Sequence, residues 1–161
     1  MVAIERILIP IDFSPGTRYA LNVAVDLAEK FEAQLYLFHV LENPYNSISP
    51  GDDASAIIFG ESREEFFHMF KVEAQEAMET LLFPFRYRPV SIEPLFSENG
   101  PPCLEIIRTA KELSVNLIIM GNHIRKWPPD VRIGNTAKNV VCNAPCPVML
   151  IKEKKFRFEM S

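Results

Sequence analysis

The 161-residue sequence predicts an α/β fold, a doubly wound sheet of five parallel strands with helices on both faces. Three observations predict it. Short apolar runs alternate with longer segments of helical periodicity, in the order β-α-β-α-β-α-β-α-β, and such alternation calls for parallel strands joined by crossover helices. The run Ile7-Leu8-Ile9 has no polar face, as expected of a central strand covered on both sides. Right-handed crossovers then wind the chain over both faces of the sheet.

The first strand is expected over residues 4–11, with Asp12 directly after it. Ser14-Pro15 reads as N-cap and first helical residue: the hydroxyl accepts from an otherwise unpaired N–H, and proline loses nothing at that position. Ala20, Ala24, Leu27, Ala28 and Phe31 recur at helical spacing, and the small side chains suit a helix lying close to the sheet. Residues 34–40 form the second strand. Residues 41–62 are rich in Pro, Gly, Ser, Asn and Asp and are expected to be a long mobile loop. This loop is not a domain linker, because the same alternation resumes after it. The second helix spans residues 63–83. Phe66, Phe67, Phe70, Ala74, Ala77, Met78 and Leu81 form one stripe on it, read as core rather than as a cofactor box, and Pro84 ends it. Residues 89–96 are the third strand. Asn99-Gly100-Pro101-Pro102 caps a third helix carrying Ile106, Ile107, Ala110 and Leu113. Residues 115–120 are the fourth strand and 147–151 the fifth, with a helix between them and a tail over 152–161. The chain reads as one domain, 1–161.

Composition narrows the function classes. Hydrophobic content of 48% and charged content of 24% are those of an ordinary globular protein. A chain of this size buries roughly 70% of its unfolded surface, enough for one core. A net charge of -4 gives no reason to expect nucleic acid or an anionic membrane as partner. No apolar run approaches the roughly 18 residues of a membrane span. The first residues carry charges and no cleavage site, so they do not read as a signal peptide, and the expected location is the cytoplasm. Three cysteines do not make a disulfide framework.

The chemistry gathers near the C-terminus. The apolar run ending at Met120 stops at Gly121. A polar, basic loop follows and closes at Gly134-Asn135-Thr136, where a helical pattern begins. Glycines bracketing a loop at a helix N-terminus suit an anion, which needs close backbone approach, free N–H groups and the positive end of the dipole. Within the loop, Arg125, Lys126 and Arg132 are either solvated charges or cations for phosphate. Pro128 and Pro129 have no N–H to offer. Trp127 packs the loop down or stacks on a ligand. His123, beside Asn122, has no Ser, Cys or carboxylate partner visible in sequence and reads as a loop residue. His39 and His68 stand alone on a strand end and a helix. Cys142 and Cys146 have no second pair to make a zinc site. Cys103, in a helix first turn, reads as packed against the sheet. Asp12 is either a capping carboxylate of the first helix or a ligand contact.

The stretch over residues 117–151 resembles the C-terminal signature of the universal stress protein family. That signature is glycine, two residues, glycine, nine residues, glycine, then Ser or Thr, followed by a helix and an A-P-C-P-V strand entry. Gly121 and Gly134 fall on its first and third glycines, and Ala144-Pro145-Cys146-Pro147-Val148 matches the strand entry. Ile124 stands at the middle glycine and Asn135 at the hydroxyl position. The first strand with Asp12 and Ser14-Pro15, and the second strand ending in His39-Val40, also look like this family. The resemblance implies a Rossmann-like sheet of order 3-2-1-4-5 and a non-catalytic stress-response regulator with an adenine-nucleotide site for ATP or AMP, weakened at Ile124 and Asn135. It implies that Pro10, Asp12, Val40, Met120 and Gly121 line the adenosine, with Gly134, Asn135 and Thr136 near the phosphates. No metal is expected except one arriving with the nucleotide. A homodimer is expected through the apolar fifth strand at the sheet edge, with Val148 and Leu150 at the contact.

Other classes compete. One is a dimer that binds an unknown protein partner and no nucleotide. A hydrolase or transferase would need a Gly-x4-Gly-Lys-Ser/Thr or Ser-Gly-Gly-x-Asp-Ser loop after the first strand. The sequence there is Asp12-Phe13-Ser14-Pro15-Gly16, which leaves at most slow ATP hydrolysis. A receiver-type signalling domain would need clustered acids, and Asp12 is alone while the third strand ends at Ser97-Glu98.

Overall fold

The elements run β1 (Arg6–Pro10), α1 (Pro15–Phe31), β2 (Gln34–Val40), α2 (Arg63–Leu82), a 3-10 turn (Phe83–Phe85), β3 (Ile92–Ser97), α3 (Pro102–Glu112), β4 (Leu117–Asn122), α4 (Asn135–Asn143) and β5 (Val148–Lys152). The computed structural model describes residues 3–42, 63–98, 100–122 and 133–152. The five strands form one sheet in the order β3-β2-β1-β4-β5, every pair parallel, so the Rossmann-like architecture and its strand order are as expected.

Strand periodicity divides the core in two. On one face Ile7, Ile9, Leu35, Leu37, Leu117 and Ile119 meet Ala20, Ala24 and Ala28 of α1 and Met78 and Leu81 of α2. On the other, Leu8, Ile118 and Met120 meet Ile106 and Ala110 of α3 and Ala137 and Val140 of α4. Ile7, Leu8 and Ile9 are wholly buried, each side chain contributing about 1.5–3 kcal/mol relative to exposure. Three alanines at one-turn spacing let α1 lie low on the sheet.

Several expected boundaries shift for physical reasons. β1 starts at Arg6 rather than residue 4, because the Glu5 and Arg6 N–H groups donate to the Asn116 side chain at 3.0 and 2.8 Å. β3 starts at Ile92 rather than residue 89. Pro89 has no N–H for a ladder, and the Val90 N–H turns back to the Arg88 carbonyl. β4 begins at Leu117 rather than residue 115 and runs two residues further than expected, through Gly121 to Asn122, because β5 pairs with it as far as Asn122↔Lys152. β5 likewise slides by one residue at each end. α2 ends at Leu82, with Pro84 inside the 3-10 turn that follows.

The helical stripes are only partly core. Phe31 is 45% exposed at the last residue of α1, beyond the sheet. On α2 the C-terminal half, Ala74, Met78 and Leu81, is buried, whereas Phe70 is 39% exposed and Phe67 half-buried. The expected cap of α3 is also corrected: Pro101 takes the N-cap position with no side-chain bond, and Asn99 lies outside the described residues. Residues 43–62 of the expected loop and 153–161 of the tail lie outside them too. Among the described residues, no helix is long and apolar enough to cross a membrane.

Candidate functional site

The chain leaves β1 towards β2 on one side and β4 towards β5 on the other, so the connections diverge between the adjacent carboxyl ends of β1 and β4. That switch point is where an open parallel sheet presents a crevice. Three pieces of sequence meet there: the turn after β1, the end of β4 and the start of α4.

The β1–α1 turn is closed by its own hydrogen bonds. Asp12 Oδ1 accepts from the Ser14 N–H at 3.1 Å, the Ser14 hydroxyl at 2.6 Å and the Thr17 hydroxyl at 2.5 Å. Ser14 is the N-cap, its Oγ accepting from the Thr17 N–H at 3.4 Å, with Pro15 at the first helical position. Asp12 thus braces the N-cap residue Ser14 and the first turn of α1 through Thr17, and Ser14 does the capping. Phe13 takes up the bend in the left-handed region at φ 60, a conformation costing about 1–2 kcal/mol for a non-glycine residue. Its ring lies 4.5 Å from the His39 imidazole, and the His39 Nδ1–H donates to the Ile11 carbonyl at 2.8 Å. His39 is thus not isolated. The parallel register that pairs Pro10 with Phe38 places it beside Ile11, a signal that emerges only once β1 and β2 are aligned. A cavity of about 370 Å³ opens next to this stack, lined by Phe13, His39, Glu42, Phe67, Phe70 and Glu73.

The two glycines of the loop differ. A Cβ on Gly121 would lie 3.0 Å from the Gly16 carbonyl oxygen and 3.3 Å from the Thr17 nitrogen. Glycine there lets the first turn of α1 rest directly on β4. Among the described residues a Cβ on Gly134 would meet nothing within 4 Å, and its φ of -55 is open to any residue. Gly134 is the N-cap of α4 and has no side chain to cap with; Asn135 is the first helical residue and is exposed. Thr136 is half-buried next to buried Ala137. Val40, Met120 and Ala137 share one cluster, which brings the end of β2, the end of β4 and the start of α4 to a single corner. Pro10 is half-buried in β1. His123, Ile124, Arg125, Lys126, Trp127 and Arg132 lie outside the described residues.

Asn122 was missed as more than a neighbour of His123. It ends β4, is 5% exposed, and its Oδ1 has no hydrogen-bond partner among the described residues. Cys103 and Cys146 are half-buried, Cys142 is exposed, and burial pushes the Cys146 thiol above its ordinary value, with the Ile118 backbone partly opposing. His68 is exposed on α2. Among the described residues, no three His, Cys, Asp or Glu side chains form a group that could hold a metal ion.

A model of the universal stress protein family matches residues 3–152. The chain belongs to this family. A universal stress protein of Methanocaldococcus jannaschii is 28% identical over 152 residues, covering 94% of this chain and 84% of that relative. Among solved structures, the universal stress protein UspA from Lactobacillus plantarum superposes with a TM-score of 0.76 at 24% identity, covering 94% of this chain and 99% of that one. A universal stress protein from Archaeoglobus fulgidus, solved in complex with dAMP, superposes with a TM-score of 0.63 at 23% identity over 94% of this chain and 100% of that one. As a universal stress protein the chain has its glycines at the expected spacing, and one of the two is taken up by packing.

Proposed function

We propose that this universal stress protein is a non-catalytic, cytoplasmic stress-response regulator that holds an adenine nucleotide weakly at the β1/β4 switch point. Gly134 carries the reading. Among the described residues nothing packs against Gly134, and a missing side chain at a helix start without a side-chain cap suits a ligand that must approach the backbone closely. The dAMP held by the Archaeoglobus fulgidus relative supports adenine as the base. In this reading Pro10, Asp12, Val40, Met120 and Gly121 line the adenosine. Gly134, Asn135 and Thr136 face the phosphates, and Arg125, Lys126 and Arg132 supply positive charge. Ile124 and Asn135, at the middle glycine and hydroxyl positions, remove one or two charge-assisted bonds of roughly 1.5–3 kcal/mol each. The γ-phosphate end suffers most, so ATP and AMP are poorly distinguished.

Purified protein, denatured by heat or acid and analysed by chromatography, is expected to release adenine nucleotide, or to take up AMP and ATP with similar affinity. Failure to bind either, with Ile124→Gly/Asn135→Ser no better, contradicts the reading and leaves a protein-binding regulator. The same protein is proposed to be a two-fold dimer through β5. Among the described residues this edge strand pairs with β4 alone, and its Met149 is 39% exposed. Light scattering at micromolar concentration is expected to give a dimer mass that Val148→Glu halves. A monomer mass for the natural sequence refutes the dimer.

A further inference from the structure

Asn122 is the last residue of β4, at the carboxyl end of the sheet. Side chains alternate along a strand. Ile118 and Met120 pack with Ala137 and Val140 of α4, while Gly121 faces Gly16 of α1. Asn122 therefore falls on the α4 face. Because α4 follows β4 and runs back along the sheet, its N-terminus lies at this same end. The corner thus combines two unmet capacities: a helix start whose N-cap, Gly134, makes no side-chain bond, and a buried amide oxygen with no partner among the described residues. Native structures rarely keep a buried polar atom unpaired without a use for it. The other such atom, Arg6 Nε, is at the opposite end of β1, away from the switch point.

The two capacities ask for different chemistry. A helix start draws an anionic oxygen. A carboxamide oxygen accepts only, so it needs a donor and is repelled by a phosphate oxygen. A nucleotide offers both within one short span, a ribose hydroxyl beside a phosphate. We propose that Asn122 Oδ1 accepts a hydrogen bond from a ribose hydroxyl of the bound nucleotide, so that this site selects ribonucleotides over deoxyribonucleotides. The inference rests on the adenine-nucleotide reading above and adds a selectivity to it. A site that hydrogen-bonds a substrate hydroxyl rejects the analogue lacking it, because its own buried group is then left unpaired.

The test is calorimetric titration of the full chain with AMP, 2′-deoxy-AMP, 3′-deoxy-AMP and IMP, for the natural sequence and for Asn122→Leu. The natural sequence should bind AMP at least about 5-fold tighter than at least one deoxy analogue, the penalty for leaving a buried acceptor unpaired. Asn122→Leu should reduce that preference to below about two-fold and leave the melting temperature of the ligand-free protein unchanged or raised, since it removes an unpaired buried group. Asn122→Ala, which only shortens the side chain, should lose the preference in the same way. Equal binding of AMP and both deoxy analogues by the natural sequence overturns the inference while leaving the nucleotide reading intact. So does a preference that survives in both variants. A lost preference for AMP over IMP, with the deoxy preference kept, assigns Asn122 to the base and overturns the hydroxyl contact. A marked fall in melting temperature on Asn122→Leu shows that the carboxamide already serves the fold instead of standing open for ligand and also overturns it. Binding of none of the four overturns the nucleotide reading itself.

Discussion

At Gly121 a Cβ would press on the Gly16 carbonyl at 3.0 Å; at Gly134 it would meet nothing within 4 Å among the described residues. The regions around them differ in the same sense. Around Gly121, the start of α1 is satisfied from within: Asp12, Ser14 and Thr17 bond one another, and the helix rests on β4. Around Gly134, the start of α4 has no side-chain cap, and nearby β4 ends in an unpaired amide oxygen among the described residues. Glycines of a single sequence motif therefore have separate causes. One is required by the protein's own packing; the other meets no such demand among the described residues and is the one we propose faces the ligand.

The largest way to break this comparison is to fill the closed side. Gly121→Val drives a branched side chain into the Gly16 backbone and should destabilise the fold by about 1–3 kcal/mol, the usual cost of overpacking. Urea unfolding measures it. An unchanged midpoint would mean that α1 can lift off β4 freely, and the distinction between the glycines would disappear. A smaller effect sharpens the account. Thr17 is buried, and its hydroxyl donates to Asp12. Thr17→Val keeps the shape and removes that bond, and should cost about 1–2 kcal/mol, at the low end for a hydrogen bond to a charged group because Asp12 is exposed. A loss below about 0.5 kcal/mol, the range of ordinary surface substitutions, would show that the Asp12–Ser14–Thr17 network is ornamental.

Much of the fold was legible because its signals are local. Ile7-Leu8-Ile9 declared a central strand, Ser14-Pro15 declared a helix start, and the alternation of runs set the element order. The less legible features depend on contacts distant in sequence. Asn116 sets where β1 begins from 110 residues away. His39 meets Ile11 only through strand pairing, and Asn122 joins β4 because β5 pairs past Gly121 as far as Lys152. Helical periodicity showed that Phe67 and Phe70 share a stripe with Met78. It could not show that Met78 is buried while Phe70 is exposed and Phe67 half-buried. At the candidate site, spacing identified the glycines and not their different neighbours, since the partner of Gly121 is Gly16, more than a hundred residues earlier.

The most direct test of the central claim uses Gly134→Ala. With a φ of -55 and open space at the Cβ among the described residues, the substitution should cost no more than about 1 kcal/mol, the preference for glycine over alanine at an N-cap. Paired with calorimetric titration of AMP, it should weaken binding about ten-fold or more, the loss of one charge-assisted contact as the methyl holds the phosphate off the helix start. Stability within that limit, with weakened AMP binding, is the predicted result. AMP binding equal to that of the natural sequence, or an unfolded protein, would contradict the assignment of Gly134 to the ligand.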